Sequence, residues 1–194
     1  MKIFLTFIIS AIILVLIALA YYGAFKKIEI TEHATGPYLL VYKKHIGDYK
    51  NVGPVMDKIY KDLLNDSVVT TRGFGLYYDN PGEVEKDKLR SIVGCILEEK
   101  DRNKIDNLKD KYTITEFPVS NSVISQFPFK GKPSIFLGIF KIYPPLSDYL
   151  KEHNYAQGPI MEIYNVPAGK ILYIAPVNID KKFYDSLLET EKSE

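Results

Sequence analysis

The sequence is poor in the residues on which several common functions depend. Its one cysteine, Cys95, excludes an intramolecular disulfide and a zinc site built on cysteines. Cys95 lies in the apolar run Ser91-Ile92-Val93-Gly94-Cys95-Ile96-Leu97 with no histidine or aspartate beside it, which reads as a buried core thiol and not a nucleophile. The three histidines, His33, His45 and His153, are far apart in sequence and offer no metal-ligand spacing. Formal net charge is only +1, with lysines and acids interspersed, so the basic excess of a nucleic-acid binder is missing. No cofactor and no nucleic-acid partner are expected.

What the chain does have is one long apolar segment. From Ile3 to Phe25 no residue is charged. At about 1.5 Å per helical residue this stretch can cross a bilayer core of about 30 Å. Tyr21, Tyr22, Lys26 and Lys27 then form an aromatic and basic edge of the kind found at membrane interfaces. Ala18-Leu19-Ala20 also fits a signal-peptide cleavage site, but the apolar run is long for a signal core and continues past that site. Residues 1–27 are therefore read as a retained single-pass anchor. Lys2 and the amino terminus stand on one side and Lys26 and Lys27 on the other, a balance that slightly favours the domain on the cytoplasmic face.

The remainder reads as a domain over residues 28–178 and a short polar tail over 179–194, ending in a helical turn or in disorder. Tyr38 to Tyr42 is a strand. Val55, Met56, Ile59, Tyr60, Leu63 and Leu64 recur at helical spacing within Pro54 to Leu64. Arg72 to Tyr78 and Leu89 to Leu97 are strands, separated by the turn residues Asp79-Asn80-Pro81-Gly82. A charged connector, Glu98 to Lys111, follows. The order then recurs: β-rich Thr113 to Phe129, a helix from Ser134 to His153 with a kink or break at Pro144-Pro145, and strands at Ile160 to Tyr164 and Ile171 to Val177. The fold class is α+β. Two β-α-β-β repeats build one antiparallel sheet, with two helices on one face, behind a single transmembrane helix.

Matching Tyr78-Asp79-Asn80-Pro81 with Tyr164-Asn165-Val166-Pro167 sets Leu76 opposite Glu162 and Tyr78 opposite Tyr164. Strand alternation then places Tyr77, Met161, Ile163, Leu172 and Ile174 under the helices. Phe74, Leu76, Tyr78, Glu162, Tyr164 and Tyr173 fall on the other, uncovered face. That greasy, tyrosine-lined and acid-bearing surface is the expected binding site. Glu162 would pair with a cationic ligand lying against the tyrosine rings. His45 and Tyr49 are expected to bond and pack their own turn.

Several segments in order resemble the GyrI-like domain family. His45-Ile46-Gly47-Asp48-Tyr49 resembles its H-x-G-x-Y turn, and Leu76-Tyr77-Tyr78-Asp79-Asn80-Pro81 its L-Y-Y-D-x-P strand end. Lys170 to Val177 is similar to its closing strand. Tyr42 to Tyr49, Asp87-Lys88, Val93 to Leu97, Tyr143 to Glu152 and Glu162-Ile163-Tyr164 are most similar to those members that carry one N-terminal membrane helix and act as receptors for autophagy of the endoplasmic reticulum. The resemblance implies a non-enzymatic module that binds a hydrophobic or cationic small molecule, or a protein. A receptor role in a eukaryote is the alternative.

Two departures follow from the same resemblance. The long disordered tail that docks Atg8-type proteins in such receptors is not expected here, where Tyr184-Asp185-Ser186-Leu187, with Glu189 and Glu191 beyond, is the one segment of the right spacing. Leu172 stands where many small-molecule-binding relatives place a glutamate, which leaves Glu162 as the candidate acid. Some relatives hydrolyse reactive small molecules with acidic pocket residues. A single placed carboxylate makes a hydrolase the least favoured reading.

Overall fold

The computed structural model describes residues 2–104 and 108–189. Helix α1 (Lys2–Tyr21) is long and apolar enough to cross a membrane. The chain then forms one eight-stranded antiparallel sheet: β1 (Ile30–Thr35), β2 (Tyr38–Ile46), β3 (Arg72–Tyr77), β4 (Arg90–Leu97), β5 (Thr113–Phe117), β6 (Ser120–Pro128), β7 (Ile160–Asn165) and β8 (Lys170–Pro176). Their spatial order is β1-β6-β8-β7-β3-β4-β2-β5. The expected repeat is present, with β2-α-β3-β4 on one side of the β3–β7 seam and β6-α-β7-β8 on the other. The structure adds an exchange at the edges. β1 precedes the first repeat but pairs with β6 of the second, and β5 pairs with β2 of the first.

Two helices cover one face, as the pattern predicts. Helix α2 (Val52–Asn65) buries Val52, Ile59 and Leu63 and packs on β4 and β3. Helix α3 (Lys132–Glu152) buries Ser134, Gly138, Ile142, Leu146 and Leu150, one side chain per turn, and packs on β6 and β8. The expected break at Pro144-Pro145 does not occur, although each proline forfeits a backbone donor. Ile142 and Leu146, both fully buried, hold the helix on the sheet either side of the prolines.

The opposite face is covered too, by an element longer than the helical turn expected of the tail. Within the expected polar tail, Lys181–Glu189 forms helix α4, which buries Tyr184 and Leu187 against Tyr42, Phe74, Leu76 and Phe117. The Tyr42 hydroxyl donates to the Leu187 carbonyl at 3.1 Å and so satisfies a last-turn acceptor with no helical partner. The Tyr78 hydroxyl donates to the Tyr184 carbonyl at 2.9 Å. Residues 190–194, including the Glu191 flank of the aromatic-x-x-aliphatic segment, lie outside the described residues. So do residues 105–107 of the charged connector, whose described part holds a 3-10 helix at Glu99–Lys104.

Candidate functional site

Because α2 stands over β3 and β4, and α3 over β6 and β8, the seam between β3 and β7 is the floor of a groove between the two helices. Register decides what that floor presents. Gly75 pairs with Glu162, Gly73 with Tyr164, and Glu162 with Tyr173, so these side chains share the helix-covered face. Two glycines in β3 leave the space above the seam to larger residues. A Cβ on Gly75 would fall 2.6 Å from the Tyr77 hydroxyl oxygen, because Tyr77 folds back over that position. On α3, a Cβ at Gly138 would collide with the Tyr173 hydroxyl. Gly138 thus lets the helix settle onto β8 with a tyrosine beneath it.

The centre of the floor is a carboxyl surrounded by phenols. Glu162 is 2% exposed. The Tyr143 hydroxyl, reaching down from α3, donates to its Oε1 at 2.8 Å. The Tyr164 hydroxyl, two residues along β7, donates to Oε2 at 2.6 Å. Tyr77 stands 3.5 Å from the Tyr164 hydroxyl, and Tyr173 meets the Tyr143 ring edge-on at 5.9 Å between centroids. The Tyr173 hydroxyl is buried and has no hydrogen-bond partner among the described residues. Burial raises the Glu162 pKa, and the two tyrosine donors pull the other way without cancelling it. Burial, reinforced by the charge of Glu162, holds the phenols of Tyr143, Tyr164 and Tyr77 in their protonated form.

No lysine or arginine forms an ion pair with Glu162 among the described residues. The groove walls are largely apolar: Met56 on α2, Ile135, Phe136 and Ile139 on α3, and Phe129, whose ring lies 5.8 Å from Tyr164. An acid buried in apolar and phenolic surroundings, without a cation of its own, can receive a positive charge or a hydrogen-bond donor from a ligand.

One end of the groove is closed by the residues of the two turn motifs. The Tyr49 hydroxyl donates to the Arg90 carbonyl at 2.9 Å and accepts from the Asp79 amide at 3.1 Å. Asp79 in turn accepts from the Arg90 guanidinium at 2.6 Å and from the Arg90 amide at 2.7 Å. That guanidinium holds the Asp79 carboxyl below the usual carboxylate range. Burial pushes the Tyr49 phenol up to about 12. The His45 Nε2 lies 3.4 Å from the Asp48 carbonyl. His45 therefore lies against its own turn, as expected, whereas Tyr49 reaches across to the second motif and bonds Asp79 and Arg90.

Residues 27–171 match the model of the GyrI-like small molecule binding domain. The chain belongs to the GyrI-like family. Among curated proteins it is 30% identical over 192 residues to testis-expressed protein 264 of Homo sapiens and 32% identical over 163 residues to the testis-expressed protein 264 homolog of Mus musculus. These alignments cover 93% and 79% of this chain, but only 58% and 50% of the relatives, so the chain spans little more than half of the curated proteins it matches. Two solved structures share the fold. The EcmrR C-terminal domain has a TM-score of 0.54 at 12% identity, covering 79% of this chain and 99% of that one. SAV2435, solved with tetraphenylphosphonium, has a TM-score of 0.50 at 9% identity, covering 82% of this chain and 99% of that one.

In this GyrI-like chain the expected site splits in two. Glu162, Tyr164 and Tyr173 do come together. Phe74, Leu76 and Tyr78 do not join them: Phe74 and Leu76 pair across the seam with Ile163 and Met161, and all three face α4 on the opposite side of the sheet. The expected equivalence of Tyr78 with Tyr164 is one residue out of step. Tyr77 shares a face with Tyr164, and a shift of one residue moves every side chain to the other face. The covered and uncovered faces are also exchanged, since Glu162 lies beneath α2 and α3 while Met161, Ile163, Leu172 and Ile174 lie on the α4 side. Tyr143, the donor from α3, escaped the sequence reading because nothing local marks which helix residue overhangs the seam.

Cys95 and the two anchoring side chains of the aromatic-x-x-aliphatic segment all lie inside the fold. Cys95 is buried, and burial pushes its thiol up to about 12, which suits an inert core residue. In the Tyr184-Asp185-Ser186-Leu187 segment, Tyr184 is 4% and Leu187 1% exposed. As folded, the segment therefore offers neither anchoring side chain to an Atg8-type protein.

Proposed function

We propose that this chain is a membrane-tethered, non-enzymatic ligand-binding module, with residues 1–27 as anchor and residues 28–178 as the domain that takes a hydrophobic or cationic small molecule in the groove between α2 and α3. The observation that carries the reading is the buried Glu162 carboxyl, which has two phenol donors and no cationic partner among the described residues. A cation carrying aromatic rings would lie against Tyr77, Tyr143 and Tyr164 and supply the missing charge. The family description and the tetraphenylphosphonium bound to SAV2435 support the same ligand class. Catalysis finds less support: Glu162 is the one carboxyl at the groove floor among the described residues, while acid–base chemistry generally calls for more than one placed group. The length and polarity pattern of α1 support the anchor, and Lys26 and Lys27 support a cytoplasmic domain.

The test is thermal unfolding of the full chain in lipid nanodiscs, with tetraphenylphosphonium and with neutral triphenylphosphine oxide. The cation should raise Tm in the wild type and leave Glu162→Gln unmoved from its own baseline. A neutral compound that works as well as the cation would remove the role given to Glu162. If neither compound shifts the wild type, the groove does not take this ligand class.

A further inference from the structure

The outer side of α3, at the lip of the groove, carries exposed apolar residues that the core does not use. Phe136 is 59% and Phe140 76% exposed, and Ile139 beside them is 37% exposed. The buried residues Ser134, Gly138 and Ile142 fix which side of α3 meets the sheet. At about 100° per residue, Lys132, Phe136 and Phe140 then form a ridge pointing away from it. Two bare phenylalanines one turn apart mark a surface that meets something apolar.

The exit of α1 lies along the same half of α3. Gly23, two residues beyond the end of α1, is already packed on the domain, where a Cβ would stand 3.0 Å from Phe127 and 3.1 Å from Pro128. Lys130 Nζ sits 5.6 Å over the Tyr21 ring. Lys141 Nζ donates to the Ala24 carbonyl at 2.5 Å and to the Lys26 carbonyl at 2.6 Å. Residues 21–26 therefore lie against Phe127, Pro128, Lys130 and Lys141, residues that bracket both phenylalanines in the sequence. There is no free stalk between α1 and the domain.

We infer that this ridge is a lipid-contacting surface: Phe136 and Phe140 insert into the bilayer that α1 crosses, with Lys26, Lys27, Lys130 and Lys132 at headgroup level. The inference rests on the reading of α1 as a retained span, and it does not depend on the groove's ligand. Lysines flanking exposed aromatics suit an interface where apolar stems and rings enter the acyl region and ammonium groups stay with phosphates. Seated this way, the groove rim at Ile135 and Ile139 opens next to the membrane surface. A compound dissolved in the bilayer then reaches the groove without crossing bulk water.

The chain contains no tryptophan, so each introduced one is a unique fluorescent reporter. The full chain is reconstituted in liposomes of dibrominated phosphatidylcholine as Ile8→Trp in α1, Phe140→Trp on the ridge, or Val119→Trp. Val119 is exposed and precedes β6, at the opposite end of that strand from Phe127. All three positions are exposed, so the substitutions leave the core intact. Relative to liposomes without bromine, Ile8→Trp and Phe140→Trp should both lose most of their emission, and Val119→Trp should keep it. Quenching of Ile8→Trp with Phe140→Trp as bright as Val119→Trp would overturn the ridge contact and leave the anchor standing. Equal quenching of all three would also overturn it. If Ile8→Trp itself is unquenched, the anchor fails and the ridge contact fails with it.

Discussion

Glu162→Gln isolates the cost of burying the carboxyl from every other property of the groove. Glutamine has nearly the same shape. Its amide oxygen can accept from Tyr143, and its amide nitrogen can donate to the Tyr164 oxygen, so both contacts made by Glu162 can be kept. What changes is titration. Burial raises the proton affinity of Glu162 in the folded protein. The folded state therefore holds more protons than the unfolded chain once pH exceeds about 4.3, and stability falls as pH rises from there through the folded pKa. Each tenfold gain in proton affinity corresponds to about 1.4 kcal/mol lost above that pKa. Glutamine is exempt from this loss. The two proteins should unfold at similar temperatures near pH 4, with the glutamine form increasingly ahead toward pH 8, by about 2–4 °C for each kcal/mol in a domain of this size. The assay is thermal unfolding of both full chains in one detergent, followed by near-UV circular dichroism of the tyrosines. A gap that stays constant with pH, or a glutamine form that is the weaker one at pH 8, would show an ionised carboxylate stabilised by its phenols and would refute the reasoning.

Two further outcomes are expected. Tyr184→Phe should leave Tm unchanged or raise it, because the buried Tyr184 hydroxyl has no partner among the described residues, whereas Tyr184→Ala should cost about 3–5 kcal/mol through the cavity left between α4 and the sheet; equal losses in chemical denaturation would contradict this picture of α4. Asp79→Asn should cost about 1–2 kcal/mol at neutral pH, a modest figure because Arg90 is half exposed. As the Asp79 pKa is lowered by folding, its contribution is complete above the unfolded value and disappears as pH falls through the folded one, so the penalty should shrink toward acid in paired unfolding curves.

The elements were legible in the sequence because their periods are clean: β4 is apolar from Ile92 to Leu97, and α2 shows its stripe without ambiguity. The faces were not legible, and the reason is local to β3. On the groove side that strand reads Gly73, Gly75, Tyr77, and glycine carries no side chain to reveal a face. The pattern Phe74, Leu76, Tyr78 then stands out as the functional side, and the match of Tyr78-Asp79-Asn80-Pro81 to Tyr164-Asn165-Val166-Pro167 fixes the slip. Register across a seam between residues nearly ninety apart is a property of pairing, not of either strand alone. Helix α4 had a readable signal in Phe183, Tyr184, Leu187 and Leu188 at helical spacing, submerged by its charged neighbours.

The exchange of edge strands has a consequence for how the molecule is made and how it can breathe. β1 waits for β6, whose first paired residue lies 85 positions downstream, from Thr35 to Ser120, so the first strand to leave the ribosome stays unpaired until the second repeat begins to emerge. Once closed, the two repeats are interlocked like clasped hands, each lending a finger to the other. Pulling each repeat, together with the strand that leads into it, away from the other would break three ladders at once: β3 with β7, β1 with β6, and β5 with β2. Entry to the space above Glu162 must therefore come from shifting a helix across a fixed floor.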